Sequence, residues 1–194
     1  MSTFTDDLTS GAVHDGVVNR GARIGLGVVA FAVATAFGAQ VAVPLPWTPI
    51  PVTMQPLLII LAGVALGPRF GALSMAAYVG VGALGAPVFS NGGAGLAWLF
   101  GPTGGYLLAA PAAAFVAGAL AGRDGSALRL LAGLVLGTAT LYLGGVTQLL
   151  ALTGESFTTV VAMGVTPFLV GDVTKILVAF FGVHAIRRAH SDRS

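Results

Sequence analysis

The sequence predicts an all-α integral membrane protein of six transmembrane helices, with both termini on the cytoplasmic side. Three observations carry that reading. Apolar side chains make up 56% of the 194 residues and charged ones only 8%, against the roughly 25% charged residues of an ordinary soluble domain. The apolar residues fall in long runs, the first of them, 24–43, of the length needed to cross a ~30 Å hydrocarbon core. Eight of the nine Lys and Arg residues lie in alternate gaps between those runs, the pattern that loops on one side of a membrane produce.

The chain opens on Asp6, Asp7, His14, Asp15, Asn19 and Arg20. This is too polar for a secretory signal and reads as a disordered or interfacial cytoplasmic tail over residues 1–22. Span one is the apolar run 24–43, ended by Pro44, Pro46, Pro49 and Pro51 in a loop that also holds Trp47. The next apolar stretch, 55–84, is interrupted by Gly67-Pro68-Arg69. As one helix it would be too long and would bury Arg69 at mid-membrane, at high cost. Two short spans, 54–67 and 69–84, joined by a tight turn avoid this, because packing or local thinning accommodates short helices.

Residues 85–103 are an uncharged, glycine-rich connection. Gly101-Pro102-Thr103-Gly104-Gly105 reads as a helix start, with proline at the first turn. Span four follows at 104–121, then the polar Gly122-Arg123-Asp124-Gly125-Ser126, span five at 128–152, a loop with Glu155, and span six at 166–186. The membrane domain is therefore 23–188, followed by a short cytoplasmic tail, 189–194.

The arginines test the count. Arg20 and Arg23 precede span one, Arg69 separates two and three, Arg123 and Arg129 separate four and five, and Arg187, Arg188 and Arg193 follow six. Merging spans two and three would put the later arginines outside, so the positive-inside rule selects six spans over five. The pI near 9.5 thus reflects topology; no basic patch with interleaved aromatics points to nucleic acid.

The ninth basic residue, Lys175, lies inside span six, three residues after Asp172 and on the same helix face. Intramembrane charges are costly and mark functional sites, although a self-neutralising structural pair is the bland alternative. Asp172 sits about 8–9 Å in from the outer end of the expected span, at 1.5 Å per residue. The outer loops contribute Thr48, Thr53, Gln55, Ser90, Asn91, Thr103 and Tyr106, with Trp47, Phe89, Trp98 and Phe168. A few polar groups among apolar and aromatic ones is the composition of a small-molecule pocket, though both tryptophans equally suit an interfacial belt. Ala30-x-x-x-Ala34 and Ala32-x-x-x-Ala36 space small residues for close helix approach, a modest indication of partner docking.

Other chemistry is poorly supplied. The chain has no cysteine, so disulfides, thiolate metal sites and a cysteine nucleophile are excluded. His14, His184 and His190 lie in the tails or at the inner end of span six, and no carboxylate cluster accompanies them, so neither a metal centre nor a Ser-His-Asp arrangement is available. No Gly-Lys pair exists to make a Walker loop, so any ATP hydrolysis belongs to another subunit. No cofactor is called for.

Taken in order, Pro49-Ile50-Pro51-Val52-Thr53-Met54-Gln55, Leu66-Gly67-Pro68-Arg69-Phe70-Gly71, Gly85-Ala86-Pro87-Val88-Phe89, Gly101-Pro102-Thr103-Gly104-Gly105-Tyr106 and Pro167-Phe168-x-x-Gly171-Asp172-x-x-Lys175 resemble the BioY family. Its members are biotin-binding S components of energy-coupling factor (ECF) transporters. The resemblance covers about residues 24–186 and is specific in combination. It implies the six-helix S-component fold in a prokaryotic cell membrane and capture of biotin from outside. Its implied partners are a transmembrane coupling protein and two ATPase subunits, with inward release by toppling of the S component. It also implies Asn91, Asp172 and Lys175 as polar ligand contacts, with Thr53, Gln55, Tyr106, Phe89 and Phe168 shaping the pocket.

Three other classes are weighed on the residues alone. A self-sufficient proton- or sodium-coupled carrier could use Asp172, but no inverted repeat is visible. A channel lacks a ring of charges or a carbonyl filter. An enzyme lacks a nucleophile, base or metal set.

Overall fold

The computed structural model describes the backbone of residues 3–122 and 126–191 and the side chains of residues 21–122 and 126–189. The side chains of His14, Arg20 and His190, and all of Arg123, Asp124 and Arg193, lie outside the described residues. In chain order the elements are α1 (Thr3–Gln40), β1 (Ala42–Leu45), β2 (Thr48–Thr53), α2 (Gln55–Leu66), α3 (Pro68–Ala83), α4 (Leu96–Leu99), α5 (Gly104–Ala121), α6 (Ala127–Thr153), α7 (Phe157–Gly164) and α8 (Leu169–Ser191). Short 3-10 turns at Ser90–Gly92 and Thr166–Phe168 precede α4 and α8.

A helix lies at each of the six expected spans: α1, α2, α3, α5, α6 and α8. Gly21–Gln40, Gly104–Ala121 and Ala127–Thr153 are each long and apolar enough to cross a bilayer, and a further such stretch, Phe157–Ala189, takes in both α7 and α8. With 12 and 16 residues, α2 and α3 reach only about 18 and 24 Å at 1.5 Å per residue. They turn sharply into one another at Gly67, whose φ of 82° a side chain would disfavour. The α2, α3 and α5 backbones touch here: a Cβ on Gly63 would strike the Ala114 carbonyl, and one on Gly118 would strike Gly63 O and Pro68 N. Glycine at such crossings gives van der Waals contact where lipid offers no hydrophobic drive between helices.

Three expectations are corrected. The polar opening stretch is helical from Thr3, which sets aside the disordered reading and leaves the interfacial one, since extending a helix already formed in the membrane avoids the cost of nucleating one. The proline-rich first connection is an antiparallel hairpin, pairing Ala42 with Thr53, Val43 with Val52 and Leu45 with Thr48, with the register broken between Val43 and Leu45. Prolines survive because a two-stranded ribbon has only edges, and Pro44 sits at the irregularity. Span six starts at Leu169 rather than 166, because α7 and the turn at Thr166–Phe168 occupy the preceding chain.

The principal core lies between α2, α5 and α6, with Ile59, Ile60, Ala110, Ala114, Ala117, Leu130, Leu134 and Leu141 buried. Large apolar side chains such as Leu26, Phe37, Val170 and Phe181 remain exposed, as lipid-facing residues should. The two ends of the bundle are chemically distinct. Arg187 donates to the carbonyls of Ala121 and Gly122 (3.4 and 2.8 Å), and Arg129 to that of Leu120 (3.4 Å). Gly118 lies against Gly67 and Pro68, and Gly27 against Leu66. The arginine-bearing turns therefore share one end, the cytoplasmic one by the charge rule. The hairpin, the glycine-rich connection and α7 gather at the other.

Candidate ligand-binding site

At the outer end, α2, α5, α6 and α8 part around a cavity that opens at its mouth, lined as small-molecule sites are by apolar walls with a few placed polar groups. Its apolar walls are Ile50 and Pro51 of the hairpin, Pro56 and Ile59 of α2, Leu107 of α5, Leu141 of α6 and Phe168 before α8. Thr53, Gln55, Ser90, Thr103, Thr138, Tyr106, Tyr142, Asp172 and Lys175 supply the polar groups.

The charges form one cluster. Lys175 Nζ donates to Asp172 Oδ1 at 2.7 Å, and the Tyr142 hydroxyl donates to Asp172 Oδ2 at 2.6 Å. Asp172 is buried and stands in the first turn of α8, where the free backbone N–H groups favour an anion. Measured along α8 it is about 4–5 Å from the helix start, closer than the expected span placed it. The ammonium keeps two further N–H donors and the carboxylate its remaining lone pairs. The cavity thus offers a compact donor–acceptor face in apolar surroundings.

A second network builds another part of the lining. Thr53 accepts from Gln55 N (3.3 Å) and donates to Gln55 Oε1 (3.1 Å). Gln55 Nε2 donates to the Tyr78 hydroxyl (2.8 Å), which donates to Val88 O (3.0 Å). From the far side of the loop, Gln40 Nε2 donates to Phe89 O (3.0 Å), and Gly92 N donates to Gln40 Oε1 (3.1 Å). The connection that carries Ser90 is therefore tied to both α1 and α3. Tyr106 is set by two contacts: its ring lies over Gly145, where a Cβ would collide with it, and its hydroxyl donates to Gly164 O at 2.6 Å. Gln148 closes the turn before α5, donating to Leu99 O and Gly101 O at 2.8 and 2.7 Å.

Six of the eight residues expected at a ligand pocket meet here: Thr53, Gln55, Tyr106, Phe168, Asp172 and Lys175. Phe89 does not. It is fully buried behind the cavity, edge-on to Tyr78 at 5.7 Å and over Gly82, because the extended backbone at Phe89 sends neighbouring side chains to opposite faces. Asn91 is exposed at φ 56°, a left-handed conformation that Asn tolerates; its neighbour Ser90 takes the place on the wall. Of the alanines assigned to docking, Ala32 and Ala36 pack against the Tyr78–Phe89 cluster and serve the bundle itself. Ala30 is exposed and Ala34 half-buried. Trp47 stands exposed on the hairpin, and Trp98 packs on Gly93.

Sequence reasoning missed Tyr142 and Thr138. Both are on α6 and four residues apart, on the face that buries Leu134, Leu141 and Gly145, and that spacing was the available signal. Among the described residues no three His, Cys, Asp or Glu side chains group as a metal site. His184 stacks on Phe180 at 5.8 Å, toward the inner end of α8.

The chain is a multi-pass helical membrane protein with the fold of an S-component. It superposes on a crystal structure of the S-component for biotin from an ECF-type ABC transporter with a TM-score of 0.79, covering 88% of this chain and 93% of that one at 22% identity. The model of the BioY family matches residues 16–192, and the chain belongs to that family. It is 41% identical over 152 residues to a probable biotin transporter BioY of Pyrococcus horikoshii, covering 78% of this chain and 88% of that protein. To the biotin transporter BioY of Thermotoga maritima it is 38% identical over 142 residues, covering 73% and 82%.

Proposed function

We propose that this chain is the biotin-capturing S component of an ATP-driven ECF-type vitamin importer in a prokaryotic cell membrane. The observation that carries the proposal is the Asp172–Lys175 pair, held 2.7 Å apart in a cavity that is otherwise mainly apolar and opens at the outer end. Biotin's ureido ring has two N–H donors and one carbonyl acceptor. Asp172 accepts from the ring N–H, and a spare Lys175 proton goes to its carbonyl. With Asn91 exposed on the outer loop, this reading of the ureido ring falls to Asp172 and Lys175. The thiophane ring and valeryl chain lie against Phe168, Leu107, Leu141 and Ile59. The carboxylate stays near the mouth, where Ser90, Thr103 and Thr53 offer hydroxyls and water remains at hand.

Energy comes from partners: a transmembrane coupling protein and two ATPase subunits. The exposed face of α1, with Leu26, Val29, Ala30, Val33 and Phe37, is the surface on which we place the coupling protein. Calorimetric titration of the detergent-purified chain with biotin, desthiobiotin and thiamine tests the capture role. Tight binding near one biotin per chain, with thiamine silent, is the expected result. A folded sample that gives no heat with biotin overturns it.

A further inference from the structure

Tyr142 belongs to none of the motifs that carry the family resemblance, yet its hydroxyl makes the shortest of the contacts to Asp172, 2.6 Å to Oδ2. We propose that Tyr142 is a positioning residue of the ligand site, acting through Asp172. This inference rests on the biotin reading above and deepens it.

The argument starts from what a carboxylate in the first turn of a helix is free to do. Its aspartate side chain has two rotatable bonds, and a single partner on Oδ1 leaves the plane of the group free to turn. Lys175, three residues on, is that single partner and comes from the same helix. It holds the charge but ties the group to nothing outside α8. Tyr142 comes from α6 and donates to the other oxygen, so the carboxylate is clamped from both sides and across the helix junction. Hydrogen bonds to an ionised acceptor are roughly twice as strong as neutral ones, and a phenol ring is a rigid lever compared with a lysine stem. Two of the carboxylate's roughly four lone-pair sites are thereby used, and the others are held ready for a ligand. Pre-organised acceptors spare a ligand the ordering cost that a free carboxylate would impose on it.

The clamp also assigns polarity. Because the Tyr142 proton is committed to Asp172, the hydroxyl offers the cavity acceptor capacity and no donor. Asp172 and Tyr142 together accept, and Lys175 donates. That face fits a cyclic urea, with N–H beside C=O, and disfavours a ring whose carbonyl is replaced by a protonated imine, which would meet the Lys175 ammonium with like charge.

The test uses the full chain in detergent and compares wild type, Tyr142→Phe, Asp172→Asn and the double variant by calorimetric titration with biotin, with thermal melting of each. Tyr142→Phe keeps the ring and is expected to bind one biotin per chain with affinity lowered about 10-fold, which is 1.4 kcal/mol. In the Asp172→Asn background the same change is expected to cost about twofold or less, because the charge that strengthens the bond is gone. Infrared difference spectra supply a readout that a purely packing role leaves untouched. The carboxylate band absent from Asp172→Asn is expected to shift in ligand-free Tyr142→Phe. Full, multiplicative losses in the double variant, an unmoved carboxylate band, or wild-type affinity in Tyr142→Phe each overturn the positioning role. Wild-type protein that is folded and binds no biotin overturns the capture reading first, and this proposal with it.

Discussion

Gln55 donates its side-chain amide to the hydroxyl of Tyr78 across 2.8 Å, and Tyr78 passes the chain on to Val88 O at 3.0 Å. One end of this relay lines the cavity and the other holds the loop that carries Ser90. Tyr78 itself does not line the cavity. Tyr78→Phe therefore removes two hydrogen bonds without touching a ligand, and should cost about 0.5–1.5 kcal/mol of stability for each. Biotin affinity should fall several-fold as the loop loosens. Titration and melting of the same sample check both; an affinity equal to wild type would detach the relay from binding.

Asp172→Asn keeps shape and removes charge. If Asp172 accepts from the ureido ring, biotin binding weakens by about 1.5–3 kcal/mol, the range for a hydrogen bond to a charged group. Lys175→Met is the complementary change. It leaves a buried carboxylate held by Tyr142 alone, whereas Asn at 172 still offers Lys175 an oxygen acceptor, so the melting temperature should fall further than in Asp172→Asn. Equal melting temperatures for the two variants would argue that water reaches Asp172 freely.

The sequence made the membrane frame legible because both of its signals are coarse. Apolar length marks a span, and Arg69, Arg129 and Arg187 mark one end, whatever the details of packing. Asp172 and Lys175 stood out for the same reason: a charge inside a span is conspicuous. The hairpin at 42–53 did not, since Pro44, Pro46, Pro49 and Pro51 deny it the usual strand pattern and only its two-stranded isolation makes them tolerable. Phe89 misses the cavity that its neighbour Ser90 lines because successive residues of an extended chain face opposite ways. Tyr142 was hidden by an apolar helix in which a tyrosine is unremarkable until α8 is docked beside it.

Gly145 supports Tyr106. A Cβ there would overlap the tyrosine ring, so Gly145→Ala must push Tyr106 off its bond to Gly164 O, into the cavity or toward α7. Overpacking of this kind costs about 1–3 kcal/mol. Both thermal stability and biotin affinity should drop, and Gly145→Ala combined with Tyr106→Leu should recover the stability but not the affinity. A double variant as unstable as Gly145→Ala would place the strain somewhere other than the Tyr106 ring.

Ala30 offers a test that separates docking from capture. Ala30 is exposed, and Leu26, Val33 and Phe37 flank the same outer surface of α1, away from the cavity. Changing Ala30 to Leu should leave biotin titration unchanged within about 0.5 kcal/mol, as for surface sites generally. ATP-dependent uptake in cells supplying the coupling protein and ATPases should fall sharply. Undiminished uptake would move the docking surface off this face.

The orientation of the bundle has its own test, made simple because the chain contains no cysteine. Asn91 is exposed on the loop beside the cavity. Ser126 caps α6 at the opposite end, accepting from Arg129 N at 3.4 Å, beside the turn that Arg129 and Arg187 brace. Single replacements Asn91→Cys and Ser126→Cys give one thiol at each end; the second loses a helix cap worth about 1 kcal/mol. A membrane-impermeant maleimide added to intact cells should label the thiol at 91 and spare the one at 126 until the membrane is opened. The excess of arginine on the Ser126 end requires that order. Labelling in the reverse order would turn the cavity toward the cytoplasm, and capture from outside would have to be abandoned.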